Sequence, residues 1–336
     1  MSDEKSQDLV VPEPGRGGQL AGLEVFHLPA IIEAAGPGAS KRFLEFFTVN
    51  IRNSNTRQAY HRAVVNFLDW CEHQRFQLHE IEPMVVAAYI ELLTTKREPQ
   101  TVKQHLAAIR MLCDWLVIGQ VLKFNPAAAV RGPRYSYNQG KTPILAAEDI
   151  GTLFKKIDTK AVIGLRDRAL IALMFYSFGR VSAVVGMDVK DYFPRGKKFY
   201  IGLNEKGGKY HEVPLHHKAV EYLDAYIEAA SLAEQANTPL FRTFKGKGKG
   251  QAMTENRLGR VEAWYMIRRR VLAAGIRERI SNHSFRGSGI TAYLESGGTL
   301  EHAQQIAAHE SARTTKLYDR TGDKISIDEI EKIPSL

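Results

Sequence analysis

The first third of the chain carries apolar residues at steps of three and four, from residue 39 to about residue 124. Such spacing places the apolar side chains on one face of a helix. Ser54 or Asn55 is suited to cap a first long helix, and Pro83 and Pro99 each stand where a further helix would begin. The pattern therefore predicts a helical N-terminal domain.

From Leu145 onward, helical spacing alternates with short runs that are typical of strands. The runs 198–203 and 210–215 flank Glu205–Lys209, whose glycines suit the turn of a β-hairpin. These elements predict an α+β fold, mainly α with a small β-sheet. The helices predicted in this part span residues 148–157, 167–178, 219–233, 254–273, 285–295 and 300–308.

Proline, glycine and charge mark the expected boundaries of the domains. Residues 1–38 are rich in all three and predict a flexible tail, and residues 126–144 predict a linker because their apolar content is low and unpatterned. A helical domain over 39–125 and a larger domain over 145–322 remain. Residues 323–336 form a C-terminal tail with a short amphipathic stretch of isoleucines.

Composition narrows the class of protein. The 336 residues include 46 Lys and Arg against 37 Asp and Glu, a net charge of +9 that favours a polyanionic partner such as DNA.

The sequence holds no apolar run long enough to span a membrane, and its N-terminus lacks the apolar core of a signal peptide. Cys71 and Cys113 both fall on apolar helix stripes, which predicts buried thiols rather than a disulfide framework. We expect a cytoplasmic protein.

Four local features could carry chemistry, and each of them alone has an ordinary explanation as a surface arginine, a turn lysine or a packing aromatic. Together they form a set suited to phosphoryl transfer without a metal. Arginines bind the nonbridging oxygens of a phosphodiester, and a tyrosine hydroxyl is a usable nucleophile among cations. A lysine can protonate a leaving oxygen, and histidines can move protons. The residues are Arg180, Lys206, the pair His283 and Arg286, and the pair His309 and Tyr318.

In this order, the four features resemble the tyrosine recombinase (phage integrase) family. Arg180 follows an apolar helix and a glycine, and Lys206 lies in the hairpin sequence EKGGKYHEVPL. The motif HSFR of residues 283–286 is similar to the family's H-x-x-R, and AHESARTTKLY of residues 308–318 is similar to its final segment. The resemblance covers about residues 39–323 and implies a helical, SAM-like core-binding domain followed by a catalytic domain, which together clamp the DNA duplex.

The resemblance also implies a mechanism. Tyr318 would attack the scissile phosphate and become linked to the DNA 3′ end, while His283 accepts its proton and Lys206 acts as general acid. The covalent intermediate keeps the bond energy, so neither a metal nor ATP would be needed, and no cofactor is expected. The phosphate would be held by Arg180, Arg286 and His309.

Two positions depart from the family pattern. The family usually carries an acidic residue three positions after the first arginine, but this chain has Ala183 there, so no carboxylate is assigned a role; Asp188 lies near it in sequence only. The residues before His309 are Ala307–Ala308, where Leu-Gly is usual. Small residues suffice for close packing, which predicts that this second change is conservative.

The implied partners are double-stranded DNA and three further copies of the chain in a homotetramer on paired sites. The C-terminal tail would pack on a neighbouring copy or on its own domain. A type IB topoisomerase uses the same chemistry without exchanging partners, and a non-catalytic DNA-binding relative would be consistent with Ala183. A metalloenzyme is disfavoured because the histidines lack zinc-site spacing. They are His211, His216, His217, His283, His302 and His309.

Two groups of basic residues are expected on polar helix faces, where they could contact DNA phosphates or bases. The N-terminal group comprises Arg57, Arg62, Lys103, His105 and Arg110. The C-terminal group comprises Arg257, Arg260, Arg268, Arg269 and Arg270.

Overall fold

The computed structural model describes residues 27–134, 142–205, 207–246, 251–277 and 280–320. The chain divides into two compact units after residue 136, and each unit is described by itself. Among the described residues, no helix is long and apolar enough to cross a membrane.

The first unit is a helical bundle whose helices begin where the sequence provides start signals. Proline is the first residue of the helices that begin at residues 37, 83 and 99, where its missing N–H has no partner to lose. The helices are α1 (Ala30–Ala34), α2 (Pro37–Glu45), α3 (Ser54–His73), α4 (Pro83–Lys96) and α5 (Pro99–Ile118). A π-helical turn (Phe46–Asn50) and a 3-10 turn (Leu78–Glu80) complete the unit.

The predicted core of this unit is confirmed, since the apolar stripes of α3 and α5 are buried against each other. Cys71 and Cys113 are buried there, and burial raises the pKa of both thiols to about 12. The predicted cap of α3 was wrong by one position, because the Asn53 side chain accepts the hydrogen bond from the Thr56 N–H.

Two predicted boundaries also need correction. The tail predicted over 1–38 is too long at its end, because Ile31 and Ile32 of α1 are buried in the core. The linker predicted over 126–144 begins inside the first unit. Its Ala127 and Val130 are buried, and their carbonyls accept hydrogen bonds from Arg110.

The second unit surrounds the helix Val162–Tyr176 (α7), which has no exposed residue and packs against the helices His217–Ala229 (α9) and Asn282–Glu295 (α11). A helix of this kind has no solvent face and so belongs at the centre of a core. The helices of the unit are α6 (Ala147–Lys156), α7 (Val162–Tyr176), α8 (Val181–Val185), α9 (His217–Ala229), α10 (Arg260–Ala273), α11 (Asn282–Glu295), α12 (Leu300–Ile306) and α13 (Ala312–Lys316). The strands are β1 (Tyr192–Arg195), β2 (Lys198–Asn204), β3 (Tyr210–Pro214), β4 (Arg242–Lys245) and β5 (Ala252–Arg257).

The predicted hairpin is confirmed as β2 and β3, which pair antiparallel with Asn204 opposite Tyr210. Strand β1 was not predicted; it adds an antiparallel edge to this sheet and contains Pro194, which an edge strand tolerates. Ile201 and Val213 face each other and are buried, so the sheet is anchored in the core. The hairpin turn therefore extends from a fixed base.

The helix predicted over 254–273 was wrong in its first part. Residues 252–257 form β5, which pairs antiparallel with β4, and α10 begins only at Arg260. The side chains of β5 are largely exposed, so their spacing carries no apolar signal for either kind of element. The fold class is nevertheless confirmed as mainly α with small antiparallel sheets.

Candidate functional site

Arg180 lies at the start of α8, as its N-cap residue. The chain reaches this point through Phe178, whose positive φ of 54° is unusual for a bulky residue. Gly179 follows, and a Cβ there would stand 2.7 Å from Cγ2 of Val184. The strained turn directs the Arg180 side chain to an ion pair with Glu205 and leaves 26% of it exposed.

Arg286 lies on α11 and is almost fully buried. Its guanidinium donates hydrogen bonds to the backbone carbonyl of Phe178 and, at 2.6 Å, to that of Ala307. Burial and the charge of Arg180 lower the pKa of Arg286 to about 10, while Glu205 and Tyr318 oppose the shift. The Arg286 guanidinium therefore remains charged at neutral pH, close to the charge of Arg180.

The carboxylate of Glu205 joins these two arginines. Its Oε2 is paired with Nη1 of Arg180, and its Oε1 lies 4.0 Å from Nη1 of Arg286. The side chain is buried. This residue was not predicted from the sequence, where no carboxylate was assigned to the site. Two features of the sequence could have pointed to Glu205. It directly precedes the candidate residue Lys206, and the usual acidic residue is absent at position 183, which is Ala183.

Asp188, the nearest carboxylate in sequence, lies elsewhere. It forms an ion pair with Arg257, which also donates to the carbonyls of Val185 and Met187. Ala183 is buried in the hydrophobic core. Neither position therefore supplies a charge to Arg180.

His309 and Tyr318 flank α13. Nδ1 of His309 and the hydroxyl of Thr315, which is fully buried, are 2.9 Å apart. The imidazole lies parallel to the Tyr318 ring, with 6.2 Å between ring centroids and 9° between planes. Arg286 reaches the same place through the carbonyl of Ala307, two residues before His309. The structure thus brings the histidine, the tyrosine and the buried arginine together.

The backbone around Tyr318 is fixed by α11. The hydroxyl of Thr291 donates to the Tyr318 carbonyl at 2.8 Å. The missing side chain of Gly287, next to Arg286 in sequence, leaves room for the aromatic ring, because a Cβ there would lie 3.0 Å from Cε1 of Tyr318. The tyrosine ring is partly exposed, so its hydroxyl is not sealed inside the core.

His309 is neutral at physiological pH. Burial, followed by the charges of Arg286 and Arg180, lowers its pKa to about 3. The neutral ring carries a single proton, which a hydrogen bond to Thr315 can direct to one of its two nitrogens. His309 can therefore donate or accept one hydrogen bond at the site, without adding a third positive charge.

The shifted pKa of His309 predicts a pH-dependent stability. In the unfolded chain, histidine binds a proton near pH 6.5, whereas the folded group binds one only near pH 3. Between these values the unfolded state holds more protons, so this contribution is present above pH 6.5 and is lost as the pH falls. Replacing His309 by Gln should flatten the pH dependence of the unfolding free energy between pH 4 and 6 by about 1.4 kcal/mol per pH unit.

Urea denaturation at a series of pH values measures this difference. His302→Gln is the matched control, because His302 is exposed on α12 and its variant should follow the wild-type curve. Parallel curves for the wild type and the His309 variant would show that the buried ring does not titrate as expected.

Of the two proposed proton carriers, only His283 lies within the described residues. His283 lies in the first turn of α11 and is exposed, yet the crowding of its ring by protein atoms lowers its pKa, and the charges of Arg286, Arg180 and Arg260 add to the effect. The neutral ring is able to accept a proton. Lys206 lies outside the described residues, between Glu205 and Gly207.

The backbone at Ala308 shows why a glycine is usual there. Ala308 adopts a positive φ of 47°, a conformation that costs an L-residue about 1 kcal/mol. Its preceding residue, Ala307, is the buried C-cap of α12 and has an ordinary negative φ of −76°. The prediction that small size alone makes this change conservative was therefore incomplete, because the position also selects for backbone conformation.

We expect Ala308→Gly to raise the free energy of unfolding by about 1 kcal/mol, since glycine relieves the strained backbone. Ala307→Gly is the matched control and should lower it by a similar amount, because the C-cap residue Ala307 has an ordinary negative φ of −76° that glycine does not relieve, and glycine gains freedom in the unfolded chain. Urea denaturation of both variants measures the two changes. Shifts of the same sign would contradict this explanation.

Five of the basic residues expected to face DNA form hydrogen bonds or ion pairs with other groups of the protein. His105 is buried and lies 3.1 Å from the hydroxyl of Tyr89. Arg57 donates to the carbonyl of Ile51. The other three are Arg110, which bonds the carbonyls of Ala127 and Val130, Arg257, which pairs with Asp188, and Arg270, which pairs with Asp167. The other five, Arg62, Lys103, Arg260, Arg268 and Arg269, are exposed, and Arg257 is exposed as well despite its ion pair.

In the part of the chain that the structure describes, no three His, Cys, Asp or Glu side chains cluster as a metal site would require. The groups that do cluster are two cationic arginines, a carboxylate, a neutral histidine and a tyrosine hydroxyl. This set can bind one phosphate diester, stabilise added negative charge on it and present an oxygen nucleophile.

Comparisons with known proteins agree with this chemistry. The model of the phage integrase family matches residues 143–324, more than half of the chain. The model of the phage integrase N-terminal SAM-like domain matches residues 41–119. Among curated relatives, the tyrosine recombinase XerD of Lacticaseibacillus casei is 25% identical over 285 residues, which cover 82% of this chain and 91% of the relative.

Solved structures share the fold. XerH site-specific recombinase in its post-cleavage complex with a palindromic difH substrate aligns with a TM-score of 0.65 at 20% identity, covering 82% of this chain and 79% of that one. A lambda integrase tetramer bound to a Holliday junction aligns with a TM-score of 0.64 at 15% identity, covering 90% and 84% of the two chains. Both values indicate a common architecture.

Proposed function

The chain belongs to the tyrosine recombinase (phage integrase) family, and we propose that it is a site-specific DNA recombinase that cuts and rejoins DNA through Tyr318. One observation carries the assignment of the nucleophile: the ring of Tyr318 lies against the neutral ring of His309. Arg286 is bound to the same turn, because it donates a hydrogen bond to the carbonyl of Ala307. A phenolic oxygen beside fixed cations is the arrangement that attack on a phosphodiester needs.

In the cleavage step, Oη of Tyr318 forms a bond to phosphorus as the 5′ oxygen of the neighbouring nucleotide leaves. His283 takes the phenolic proton, because crowding by protein atoms and, after it, the arginine charges lower the pKa of its ring and favour the neutral form. Lys206 gives a proton to the leaving oxygen. The nonbridging oxygens of the phosphate are held by Arg180, Arg286 and His309.

The second step reverses the first. The 5′ hydroxyl of a partner strand attacks the phosphotyrosine, the bond to Tyr318 breaks, and the phenol recovers its proton. The number of phosphodiester bonds is conserved, so the reaction needs neither ATP nor a metal. Addition of EDTA and omission of nucleotide should leave the cleavage rate unchanged.

The partners follow from the exchange of strands. Four phosphotyrosine bonds in two duplexes require four copies of the chain, and the lambda integrase tetramer bound to a Holliday junction supports a tetramer of this chain on paired sites. The exposed arginines Arg260, Arg268 and Arg269 would contact phosphates on the side of α10, and Arg62 would do so on α3.

The function is tested by capturing the covalent intermediate. The protein is incubated with fragmented DNA of its source organism, and adducts that survive SDS are isolated for sequencing of the DNA ends and mass spectrometry of the linked peptide. We expect Tyr318 joined to a DNA 3′ end at a recurring sequence. The absence of adducts, or linkage through another residue, would overturn the proposal. Linkage at scattered sequences together with relaxation of any plasmid would identify a type IB topoisomerase instead.

A further inference from the structure

The family pattern leaves the first arginine without its usual acidic neighbour. A residue three positions after Arg180 shares a helix face with it, and a carboxylate at position 183 could reach the guanidinium. Ala183 has no charge and is buried in the core as a residue of α8. The described chain nevertheless places two cationic guanidiniums close enough for Arg180 to lower the pKa of Arg286. Something else must fix their spacing.

The hairpin supplies a carboxylate from a different direction. Glu205 follows β2, and its two carboxylate oxygens are divided between the two arginines: Oε2 pairs with Arg180, and Oε1 faces Arg286 at 4.0 Å. The side chain is buried to the extent that 4% of it is exposed. We propose that Glu205 is the positioning residue that replaces the missing acid at position 183 and holds Arg180 and Arg286 at the spacing of a phosphate. This inference rests on the proposed recombinase function.

The backbone makes the carboxylate a fixed point rather than a mobile counter-ion. The Glu205 N–H donates to the carbonyl of Lys209 at 2.8 Å, and the N–H of Gly208 donates back to the Glu205 carbonyl at 3.1 Å. Gly207 and Gly208 have φ values of +84° and +77°, which close the turn. Glu205 therefore moves with the sheet, and through it the sheet sets the positions of both guanidiniums.

Charge at the site explains why a carboxylate helps catalysis instead of competing with DNA. Two arginines and one carboxylate have a net charge of +1, which matches the single negative charge of a phosphodiester. The transition state gains further negative charge on the nonbridging oxygens, and prealigned guanidiniums stabilise it without reorganising. Without the carboxylate, the two cations repel each other, so they would bind the ground-state phosphate at least as well but in a less suitable geometry.

The test uses Glu205→Gln, which keeps the shape of the side chain and removes its charge. A duplex carrying the mapped cleavage site, with a nick beside the scissile bond to trap the adduct, is prepared with a normal phosphate or with a methylphosphonate that lacks one charged oxygen. We expect the variant to bind the normal duplex as tightly as wild type and to cleave it about 10²-fold more slowly. On the neutral methylphosphonate, which depends less on the arginine charges, the loss should be much smaller.

Two further variants keep the test decisive. Glu205→Asp retains the charge but shortens the reach, so it should fold even if Glu205→Gln does not and should cleave about tenfold more slowly than wild type. Asp188→Asn is the matched control, because Asp188 also pairs with an arginine but lies away from the site; its cleavage rate should equal that of wild type.

The outcomes separate the two hypotheses. If the wild type forms no adduct through Tyr318, the proposed function itself is wrong. If the wild type forms the adduct and the Glu205 variants cleave at the same rate, only the role of Glu205 is wrong. Equal losses on both substrates, accompanied by weaker DNA binding, would assign Glu205 a purely structural role and overturn the proposal as well.

Discussion

Tyr318→Phe is expected to abolish the covalent DNA adduct, with a fall in the cleavage rate of at least about 10⁴-fold. The substitution removes one oxygen and leaves the ring that lies parallel to His309. The backbone bond from Thr291 to the carbonyl of residue 318 does not involve the hydroxyl and would remain. Denaturation and gel-shift measurements should therefore match those of the wild type, and only the adduct on nicked duplex DNA should disappear.

Tyr293→Phe provides the control for this experiment. Tyr293 belongs to the same small hydrophobic cluster as Tyr318 and packs edge-on against Phe178, with 5.9 Å between ring centroids. It loses the same hydroxyl in the same part of the fold, so its adduct yield should be that of the wild type. Adduct formation by Tyr318→Phe at the wild-type rate would show that another group is the nucleophile.

The elements that could be predicted from sequence are those with a strong local signal. The stripes of α3 and α5, the prolines that begin α4 and α5, and the glycine-rich turn between β2 and β3 each specify structure within a few residues. Strands β4 and β5 have no such signal, since their largely polar residues are ordered by pairing with each other. Local pattern cannot reveal a pairing that depends on a distant partner.

The candidate site shows the same division. The order of the four motifs indicated which side chains belong together, and the structure places Arg180, Arg286, His309 and Tyr318 in one region. The order of the motifs could not indicate that Glu205 joins two of these residues. Arg180 lies 25 residues before Glu205 in the sequence, and Arg286 lies far after it. The acceptors of Arg286 are backbone carbonyls, which no side-chain pattern encodes.

Both carbonyls that accept from Arg286 lie in turns that contain a residue with a positive φ. Phe178 has a positive φ, and Ala308 has one directly after the acceptor Ala307. Both turns carry a conformational cost and both present an oxygen to the same guanidinium. Arg286 thus connects α11 with the turn before α8 and with the turn that leads to His309. It is a structural link, and we propose that it is a phosphate ligand as well.

Arg286→Ala is therefore expected to have two separate effects. Cleavage should fall by about 10³-fold, because a fixed cation no longer stabilises the charge that develops on the phosphate. The free energy of unfolding should fall by about 3 kcal/mol, because two buried carbonyls lose their donor and Glu205 loses a counter-charge. Single-turnover cleavage of nicked duplex DNA and urea denaturation measure the two effects independently.

Arg286→Lys distinguishes the two roles, because lysine keeps the charge but lacks the planar fork that reaches both carbonyls. We expect it to recover part of the stability and little of the cleavage rate. The control is Arg195→Ala, which breaks the exposed ion pair between Arg195 and Glu212 on the β1–β3 sheet. An exposed pair contributes at most about 1 kcal/mol, so this variant should keep both stability and rate. If Arg286→Ala behaved like Arg195→Ala, the buried guanidinium would hold neither the turns nor the phosphate.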